Sequence, residues 1–160
     1  MAVDMFLELD GVKGESVDKA HKDKIDILGW QWGLSNSGTF HSGSGGGAGK
    51  ASFTNITVTK YVDAASPNIM LFCANGKHFA KGKIIVRKAG ENPLEYLHVE
   101  FEKALVVSYS TGGGSGDERL IENVQLNFAK VKVEYTTQSE KGGKGTPQAF
   151  AWDIAANSKA

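Results

Sequence analysis

Residues 25–35 read Ile-Asp-Ile-Leu-Gly-Trp-Gln-Trp-Gly-Leu-Ser, and this stretch decides the class of fold. Apolar side chains recur at every second position, which is the pattern of a β-strand with one buried face. The apolar parity changes once, next to Gly29, and such a change predicts a β-bulge. Trp30 and Trp32 share the parity of their apolar neighbours, so we predict that both lie in the core. Gln31 then points to the opposite face of the strand.

The same alternation runs through most of the chain. We predict further strands at residues 5–10, 52–62, 79–88, 95–110, 120–137 and 150–154. In residues 95–110 the predicted buried face contains Leu97, Val99, Phe101, Leu105, Val107 and Tyr109. A second change of parity, near Ala129, predicts another bulge. Residues 139–147 contain several lysines and glycines, and we expect them to form a flexible segment.

One short helix interrupts the strands. Ser66 is the expected N-cap, since serine side chains commonly accept a hydrogen bond from the first turn of a helix. Pro67 follows at the first helical position, where a missing N–H group costs nothing. Gly76 is the expected stop, because glycine tolerates the left-handed conformation that ends many helices. The sequence therefore predicts a helix between these residues.

The apolar residues of this helix lie on more than one side. Ile69, Phe72 and Cys73 form a stripe at helical spacing, and we expect that stripe to face the sheet. A buried structural thiol is then the expected role of Cys73. Met70 and Leu71 fall outside the stripe, which predicts that they pack against a neighbouring molecule.

Many strands, two bulges, one short helix and no internal repeat favour a mainly β fold. We predict a single domain over residues 1–160, built as an antiparallel β-barrel of two packed sheets. The barrel is expected to be closed or nearly closed, and an open two-sheet sandwich is the alternative. The chain is long enough to bury a core of this kind.

A glycine-rich loop separates two of the predicted strands. Residues 38–49 read Gly-Thr-Phe-His-Ser-Gly-Ser-Gly-Gly-Gly-Ala-Gly, which is far longer than a hairpin turn requires. Long loops in small domains commonly carry function, and Phe40 gives this one an apolar group to bury against a partner. The predicted contact residues are Thr39, Phe40, His41, Ser42, Gly45, Gly46, Gly47 and Lys50.

The composition argues against several classes of partner. Lys and Arg number 18, Asp and Glu also number 18, and the formal net charge is therefore zero. A balanced surface argues against nucleic acid or an anionic membrane as the main partner. Cys73 is the sole cysteine, so no internal disulfide can form and a reducing compartment is the expected folding site. The first ten residues lack the features of a signal peptide, and no apolar run could span a membrane.

The sequence offers little for catalysis. The four histidines and the cysteine show no metal-ligand spacing, so we predict no metal and no other cofactor. His98 precedes Glu100 and Glu102 on the polar side of a strand, and a solvated strand face explains these residues better than a catalytic cleft. The glycines of residues 43–49 lack the Gly-Lys-Ser/Thr ending of a phosphate-binding loop. We therefore predict no enzymatic activity.

Several stretches of the chain, taken together and in order, resemble one protein family. They are residues 1–6, 11–16, 25–33, 59–67, 87–90 and 122–128. These stretches are similar to the haemolysin-coregulated proteins (Hcp) of the bacterial type VI secretion system. The resemblance extends over essentially the whole chain, and the segment after Ser139 is its least constrained part.

The resemblance implies a function in assembly and no catalysis. Members of the family fold as a β-barrel with a short helix, similar to phage tail-tube proteins, and form six-membered rings. The rings stack into a hollow tube inside a contractile sheath, with a spike protein at the tip. Some rings hold and protect small effector proteins in the lumen. The resemblance also implies that the protein starts in the bacterial cytoplasm and leaves through the secretion system without a signal peptide.

If the protein forms such a tube, each candidate contact residue can be assigned to one surface of the subunit. We expect Gln31 to face the lumen and contact effectors, because its neighbours in the strand face the core. We expect the loop at 38–50 to contact a stacked ring, although a neighbour within the ring is possible, and Met70 and Leu71 to contact another subunit. The alternative is a monomeric, secreted β-barrel that binds carbohydrate or another small ligand through the two tryptophans.

Overall fold

The computed structural model describes residues 2–41, 47 and 49–160 of the chain. Within them it contains twelve β-strands and one α-helix. The strands are β1 (Val3–Leu9), β2 (Ile25–Asp26), β3 (Gly29–Gln31), β4 (Leu34–Ser35), β5 (Ser52–Phe53), β6 (Ile56–Tyr61), β7 (His78–Lys88), β8 (Leu94–Gly112), β9 (Ile121–Asn127), β10 (Lys130–Gln138), β11 (Lys144–Asp153) and β12 (Ser158–Lys159). The helix, α1 (Ser66–Asn75), connects β6 to β7. The described part of the chain has no helix that is long and apolar enough to cross a membrane.

The long strand β8 organises the sheet. Its first half pairs with β7 along one edge and with β10 along the other, and its second half pairs with β9. Beyond β7 the sheet continues to β1, and beyond β10 it continues to β11 and β12. Next to the second half of β8, β6 pairs with β9 and β3 pairs with β6. All of these pairs are antiparallel.

Two ends of this branched sheet, β2 and β3, follow each other directly along the chain. β2 pairs with β1, β3 pairs with β6, and only Ile27 and Leu28 separate β2 from β3. The N–H of Ile27 donates to the carbonyl oxygen of Met5 in β1 at 3.1 Å, and the N–H of Leu28 donates to that of Thr59 in β6 at 2.8 Å. The parity change next to Gly29 therefore marks a change of partner strand rather than a bulge within one ladder.

These pairings confirm the predicted mainly β, antiparallel fold with one short helix. The sheet curls on itself because one backbone segment joins two of its ends, β2 and β3. It is not a closed barrel, since β2 and β3 do not pair with each other. The core inside the curl contains, among its fully buried side chains, Leu7, Ile25, Ile56, Ile69, Ile84, Phe101 and Leu126.

Strand β8 departs from the predicted burial pattern in its middle. Lys103 has a φ of 53°, in the left-handed region, and the side of the strand that faces the core changes there. Phe101 is buried before this residue and Ala104 and Val106 are buried after it, whereas Val107 is exposed. The predicted face is therefore correct as far as Phe101 and wrong at Val107, because regular alternation cannot show a local change of backbone conformation.

Helix α1 begins one residue earlier than predicted. Ala65 occupies the N-cap position, so the prediction of Ser66 as the N-cap is wrong. The physical reason is that the Ser66 hydroxyl does not cap the helix and instead accepts a hydrogen bond from the N–H of Asp63 at 2.9 Å. Pro67 lies in the first turn, at the second helical position rather than the predicted first, and Gly76 ends the helix in the left-handed conformation, with a φ of 67°.

The C-terminal part contains more strand than predicted. β11 begins at Lys144, within the segment that we expected to be flexible, and it pairs with β10 as far as Gln138. β12 lies in the polar tail, where Lys159 pairs with Trp152. Backbone pairing with an established neighbour therefore overrides a local composition that favours a loop.

Candidate interaction surfaces

One outward surface of the sheet carries mostly uncharged polar side chains. We call it the neutral face, and it consists of Gln31, Asn55, Thr57, Thr59, Ser108, Ser110, Asn123, Gln125 and Asn127. Two hydrogen bonds between exposed side chains cross it, from Thr59 Oγ1 to Asn123 Oδ1 at 2.8 Å and from Asn127 Nδ2 to Asn55 Oδ1 at 2.9 Å. The face therefore combines donors and acceptors across neighbouring strands.

Gln31 lies in the central row of the neutral face. The row crosses the sheet through direct strand neighbours, which are Gln31, Thr57, Gln125 and Ser108. On the other side of β3 and the residues after it, Trp30 and Trp32 are half-buried and pack against the core, and Trp32 stacks on Phe53 with ring centres 6.1 Å apart. The expected separation of Gln31 from the two tryptophans is present, and its orientation towards a lumen stays a prediction.

The charged residues beneath the neutral face point inwards. Strands β3, β6 and β9 and the second half of β8 contain two charged residues, Lys60 and Glu122, and both are fully buried. The Lys60 ammonium donates hydrogen bonds to Glu122 and, at 2.9 Å, to Asp63 Oδ1. Ser66 Oγ donates to Glu122 Oε1 at 2.9 Å, and the Tyr109 hydroxyl donates to Glu122 Oε2. These bonds offset the cost of removing the two ions from water.

Sequence reasoning missed this buried cluster. Lys60 and Glu122 are 62 residues apart, so no local motif joins them. A usable signal exists nonetheless, because Lys60 occupies the buried parity of β6 and Glu122 occupies the buried parity of β9. Burial raises the pKa of Tyr109 to about 12, and its hydrogen bond to Glu122 acts in the same direction. The Tyr109 phenol therefore remains a hydrogen-bond donor at neutral pH.

A second outward surface, formed by the first half of β8 and its neighbours, is strongly charged. We call it the charged face, and it consists of Glu8, Asp10, Lys81, Lys83, Glu100, Glu102, Lys130, Lys132 and Asp153. The sign alternates from strand to strand, from acidic β1 through basic β7, acidic β8 and basic β10 to acidic β11. Lys83 Nζ lies 3.4 Å from Glu100 Oε1, and Lys130 Nζ lies 3.6 Å from Asp153 Oδ2. Such exposed cross-strand pairs stabilise a sheet modestly.

His98 takes part in a different cluster from the one that its sequence neighbours suggest. Its Nε2 lies 2.9 Å from Glu95 Oε2, and the Nε2 of the buried His21 lies 2.5 Å from Glu95 Oε1. Burial alone would raise the pKa of Glu95, but the hydrogen bonds from His98 and His21 outweigh it and lower that pKa. Glu95 thereby fastens the loop that contains His21 to strand β8.

Arg87 fastens the same loop, residues 11–24, to the sheet. Its Nη2 donates to Asp18 Oδ2 at 2.5 Å and to Asp4 Oδ2 at 2.9 Å. The guanidinium carbon also lies 5.2 Å from the centre of the Phe6 ring. The hydrogen bond from Arg87 lowers the pKa of Asp18 to about 2, despite an opposing effect of burial. Residues 11–24 are therefore held to the sheet by ion pairs.

The glycine-rich loop extends from a paired base. In that base β4 pairs with β5, with Leu34 opposite Phe53. Further out, the N–H of Gly49 donates to the carbonyl oxygen of Ser37 at 3.1 Å. A Cβ atom at position 49 would lie 2.0 Å from Ser37 Oγ, so a larger residue there would require the Ser37 side chain to move. The base of the loop is therefore an extended hairpin.

The predicted contact residues of the loop are only partly described. Thr39 Oγ1 donates to the carbonyl oxygen of Gly47 at 2.8 Å. Phe40 is 82% exposed, and His41 and Lys50 are also exposed. The remaining predicted contacts, Ser42, Gly45 and Gly46, lie outside the described residues. An exposed phenylalanine at the end of a paired hairpin is a group that a partner can bury.

Helix α1 presents a second apolar patch. Met70 is 41% exposed and Leu71 is 54% exposed, while Ile69 and Phe72 are buried against the sheet. Cys73 is half-buried and packs against the core. The helix therefore has the two apolar sides that the sequence predicts, and the partner of Met70 and Leu71 stays a prediction.

The structure brings no metal-binding group together in the residues that it describes. No three His, Cys, Asp or Glu side chains in residues 2–41, 47 and 49–160 are arranged to hold a metal ion. The features that remain are surfaces: a neutral face, a charged face, an apolar helix patch and a hairpin with an exposed phenylalanine.

Comparison with known proteins identifies the family to which the chain is similar. Residues 6–135 match the family model described as "Type VI secretion system effector, Hcp". The chain is 50% identical over 162 residues to Protein hcp1 of Pseudomonas aeruginosa, and the match covers 100% of both chains.

Solved structures agree with this match. The crystal structure of Hcp1 from Salmonella typhimurium is 40% identical, with a TM-score of 0.84 and coverage of 100% of both chains. A structure of a type six secretion system protein is 30% identical, with a TM-score of 0.94 over 99% of this chain and 100% of the other. The chain therefore belongs to the Hcp family, the tube proteins of the type VI secretion system.

Proposed function

We propose that this chain is a structural subunit that forms six-membered rings, and that the rings stack into a hollow tube. The tube is assembled in the bacterial cytoplasm inside a contractile sheath, carries a spike protein at its tip, and is exported. Its lumen holds and protects small effector proteins. The subunit performs no catalysis, and its mechanism is the geometry of assembly.

The observation that carries this proposal is the contrast between the two outward surfaces of the sheet, in a chain that belongs to the Hcp family. A subunit in the wall of a tube needs one surface for the lumen and another for the exterior. The neutral face contains Gln31 and is assigned to the lumen. The charged face, with its alternating strands of acids and bases, is assigned to the exterior and the sheath.

Ring closure requires a heterologous contact, in which one patch of a subunit meets a different patch of the next. Subunits joined by such a contact form a closed ring when a whole number of the rotations between neighbours adds up to a full turn. Met70 and Leu71 supply an exposed apolar patch for it, and burying two such side chains removes apolar surface from water at about 25 cal/mol per Å². The hairpin that carries Phe40 extends from a separate part of the domain and is assigned to contacts between stacked rings.

The carbohydrate-binding alternative gains no support from the position of the tryptophans. Trp30 and Trp32 pack against the core, and Trp32 is stacked on Phe53. A sugar platform requires the flat side of an aromatic ring to be open to solvent. A monomer with a saturable sugar ligand would nonetheless favour this alternative over the tube.

Electron microscopy of the purified protein tests the proposal. We expect rings with a central hole for the native chain and separate subunits for the variant Met70→Asp/Leu71→Asp. The matched control is Asn68→Asp/Asn75→Asp, which adds the same charge at exposed positions of the same helix that point away from the centre of the patch. Featureless particles from the native chain would overturn the ring, and persistent rings in the first variant would overturn the helix contact.

Deletion of residues 39–47 tests the assignment of the hairpin. We expect rings to form but to stack poorly, because the deleted segment contains Phe40. Sedimentation and micrographs at increasing protein concentration separate ring formation from stacking. Normal stacking of the deleted chain would remove the hairpin from the ring contacts.

A further inference from the structure

We propose that the neutral face gives the lumen no electrostatic preference, so that cargo is selected by hydrogen bonding and shape rather than by charge. This inference rests on the proposed function, since it assigns the neutral face to the lumen. It goes further by stating the chemistry that the lumen offers to a partner. The partner is a protein surface of uncharged polar groups, and its net charge is unimportant.

The first argument is the composition of the face. Glutamine, asparagine, threonine and serine occupy all nine positions of the neutral face as defined above. Apolar residues lie next to these positions: Leu105 is directly opposite Asn127, Val107 lies at a bulge, and Ile121 lies at a strand end. A partner therefore meets amide and hydroxyl groups, which can each donate and accept hydrogen bonds.

The second argument is the placement of the charges that these strands contain. Lys60 and Glu122 are the two charged residues in the strands beneath the neutral face, and both are buried and bonded to each other. Lys60 is bonded to Glu122 and also to Asp63, so each buried ion has a neighbour of opposite sign that cancels part of its field at the surface. The neutral face is therefore uncharged in its own side chains, and the ions in its support are buried and paired. A cation lies at its edge, where the Arg119 guanidinium is 3.8 Å from the centre of the Tyr61 ring.

The third argument is the cost of pairing this face with a charged partner. A lysine or carboxylate that loses water against the neutral face finds no counter-ion there, and an unpaired buried ion is strongly unfavourable. An uncharged polar group loses less, because the amides and hydroxyls replace its bonds to water. Complementarity therefore favours the uncharged polar parts of a cargo surface, whatever the charge of the rest.

The repetition of the face around a ring makes weak contacts sufficient. Each hydrogen bond to a neutral group is worth about 0.5–1.5 kcal/mol net. Identical faces from several subunits raise the effective concentration of these groups around an enclosed cargo. Retention is then the sum of many weak contacts, and release follows when the ring opens.

Charged thiol reagents measure the electrostatic preference of the face directly. In a Cys73→Ala background, Gln31→Cys places a thiol in the central row. Its reaction rates with a trimethylammonium-ethyl and a sulfonato-ethyl methanethiosulfonate are compared with the rates for free 2-mercaptoethanol. We expect the cation-to-anion rate ratio to stay within about threefold of the free thiol and to change little between low and high salt.

A matched control lies on the charged face. Glu100 is directly opposite Lys83 on β7 and Lys132 on β10, so Glu100→Cys places a thiol between two lysines. We expect this thiol to favour the anionic reagent by about tenfold at low salt and to lose the preference at high salt. Adding Gln125→Glu to Gln31→Cys should likewise shift the ratio towards the cationic reagent.

The outcomes separate this inference from the proposed function. A bulky maleimide should react with the Gln31→Cys thiol more slowly in stacked tubes than in separate subunits, and equal rates would overturn the lumen assignment and this inference with it. If the maleimide reacts slowly in tubes but the Gln31→Cys thiol prefers one charged reagent by tenfold, the lumen assignment stands. The claim that the face has no electrostatic preference is then overturned. Slow bulky labelling with no charge preference supports both.

Discussion

The neutral face and the charged face treat ionisable residues in opposite ways. On the charged face the ionisable side chains point outwards, and neighbouring strands place residues of opposite sign across from each other. Beneath the neutral face, Lys60 and Glu122 point into the core and bond to each other. The comparison teaches that an uncharged surface is obtained here by burying its charges, and that burial makes each of those charges depend on its partner.

Removal of one buried charge should lower the stability of the fold more than any other change to these two faces. Lys60→Met leaves Glu122 and Asp63 in the core without their cation, and unpaired buried charges cost about 3–5 kcal/mol. We expect the free energy of unfolding to fall by about that amount. Urea denaturation at two protein concentrations measures the loss and separates it from any effect of assembly.

The double variant Lys60→Met/Glu122→Leu is the control for this prediction. It removes Lys60 together with the fully buried carboxylate of Glu122, so Asp63 alone still loses its cation and the largest penalty of the single variant should be absent. We expect the double variant to recover at least half of the lost stability, because two apolar side chains of similar size can replace a buried ion pair. A loss equal to or greater than that of Lys60→Met would show that the pair itself, rather than an orphaned charge, stabilises the core.

Acidification should remove the stability that Asp18 contributes through its ion pair with Arg87. The pKa of Asp18 is about 2 in the folded chain and 3.8 in the reference state, so its ionised form is favoured by folding. Its contribution to stability is complete above pH 3.8 and is lost as the pH falls through about 2. Asp18→Asn should therefore be less stable than the native chain at pH 6, with a difference that shrinks towards pH 2.

Thermal unfolding from pH 6 to pH 2 measures both curves. Lys13 and Asp23 form an exposed pair in the same loop, with Lys13 Nζ 3.4 Å from Asp23 Oδ2, and Asp23→Asn serves as the matched control. The control should follow the native curve closely, because exposed pairs contribute little. Parallel curves for the native chain and Asp18→Asn would contradict a special role of Asp18.

The smallest effect should come from the charged face. Lys83→Gln removes one member of an exposed pair with Glu100, and we expect a loss of at most about 0.5 kcal/mol that disappears in 1 M salt. The same denaturation experiment as for Lys60→Met measures it. A loss comparable to that of the buried lysine would remove the distinction between the two faces.

Alternation in the sequence was sufficient for the class of fold but not for the partners of each strand. The periodicity of residues 95–110 predicts a strand correctly, and β8 is that strand. The left-handed conformation of Lys103 then reverses its buried side, and no residue type in that segment announces the reversal. The parity change beside Gly29 was a true signal with a different cause, because two strands of separate ladders follow each other there.

The candidate surfaces were predictable to different extents. Gln31, Met70 and Leu71 were found from local periodicity alone, since exposure in a strand or helix follows from spacing. The uncharged character of the face around Gln31 was missed because it requires the pairing of four strands from distant parts of the chain. Ser66 was misassigned because its hydroxyl accepts a hydrogen bond from the nearby N–H of Asp63 and donates one to Glu122, which lies 56 residues away.

Ile27 and Leu28 also decide how the domain responds to mechanical load. A ladder of hydrogen bonds with a free edge can be peeled open one pair at a time. Here the edge at β1 and the edge at β6 are joined by consecutive peptide units, each bonded to a different ladder. Opening the curl therefore requires one of these two ladders to be broken, because the covalent backbone between them cannot separate.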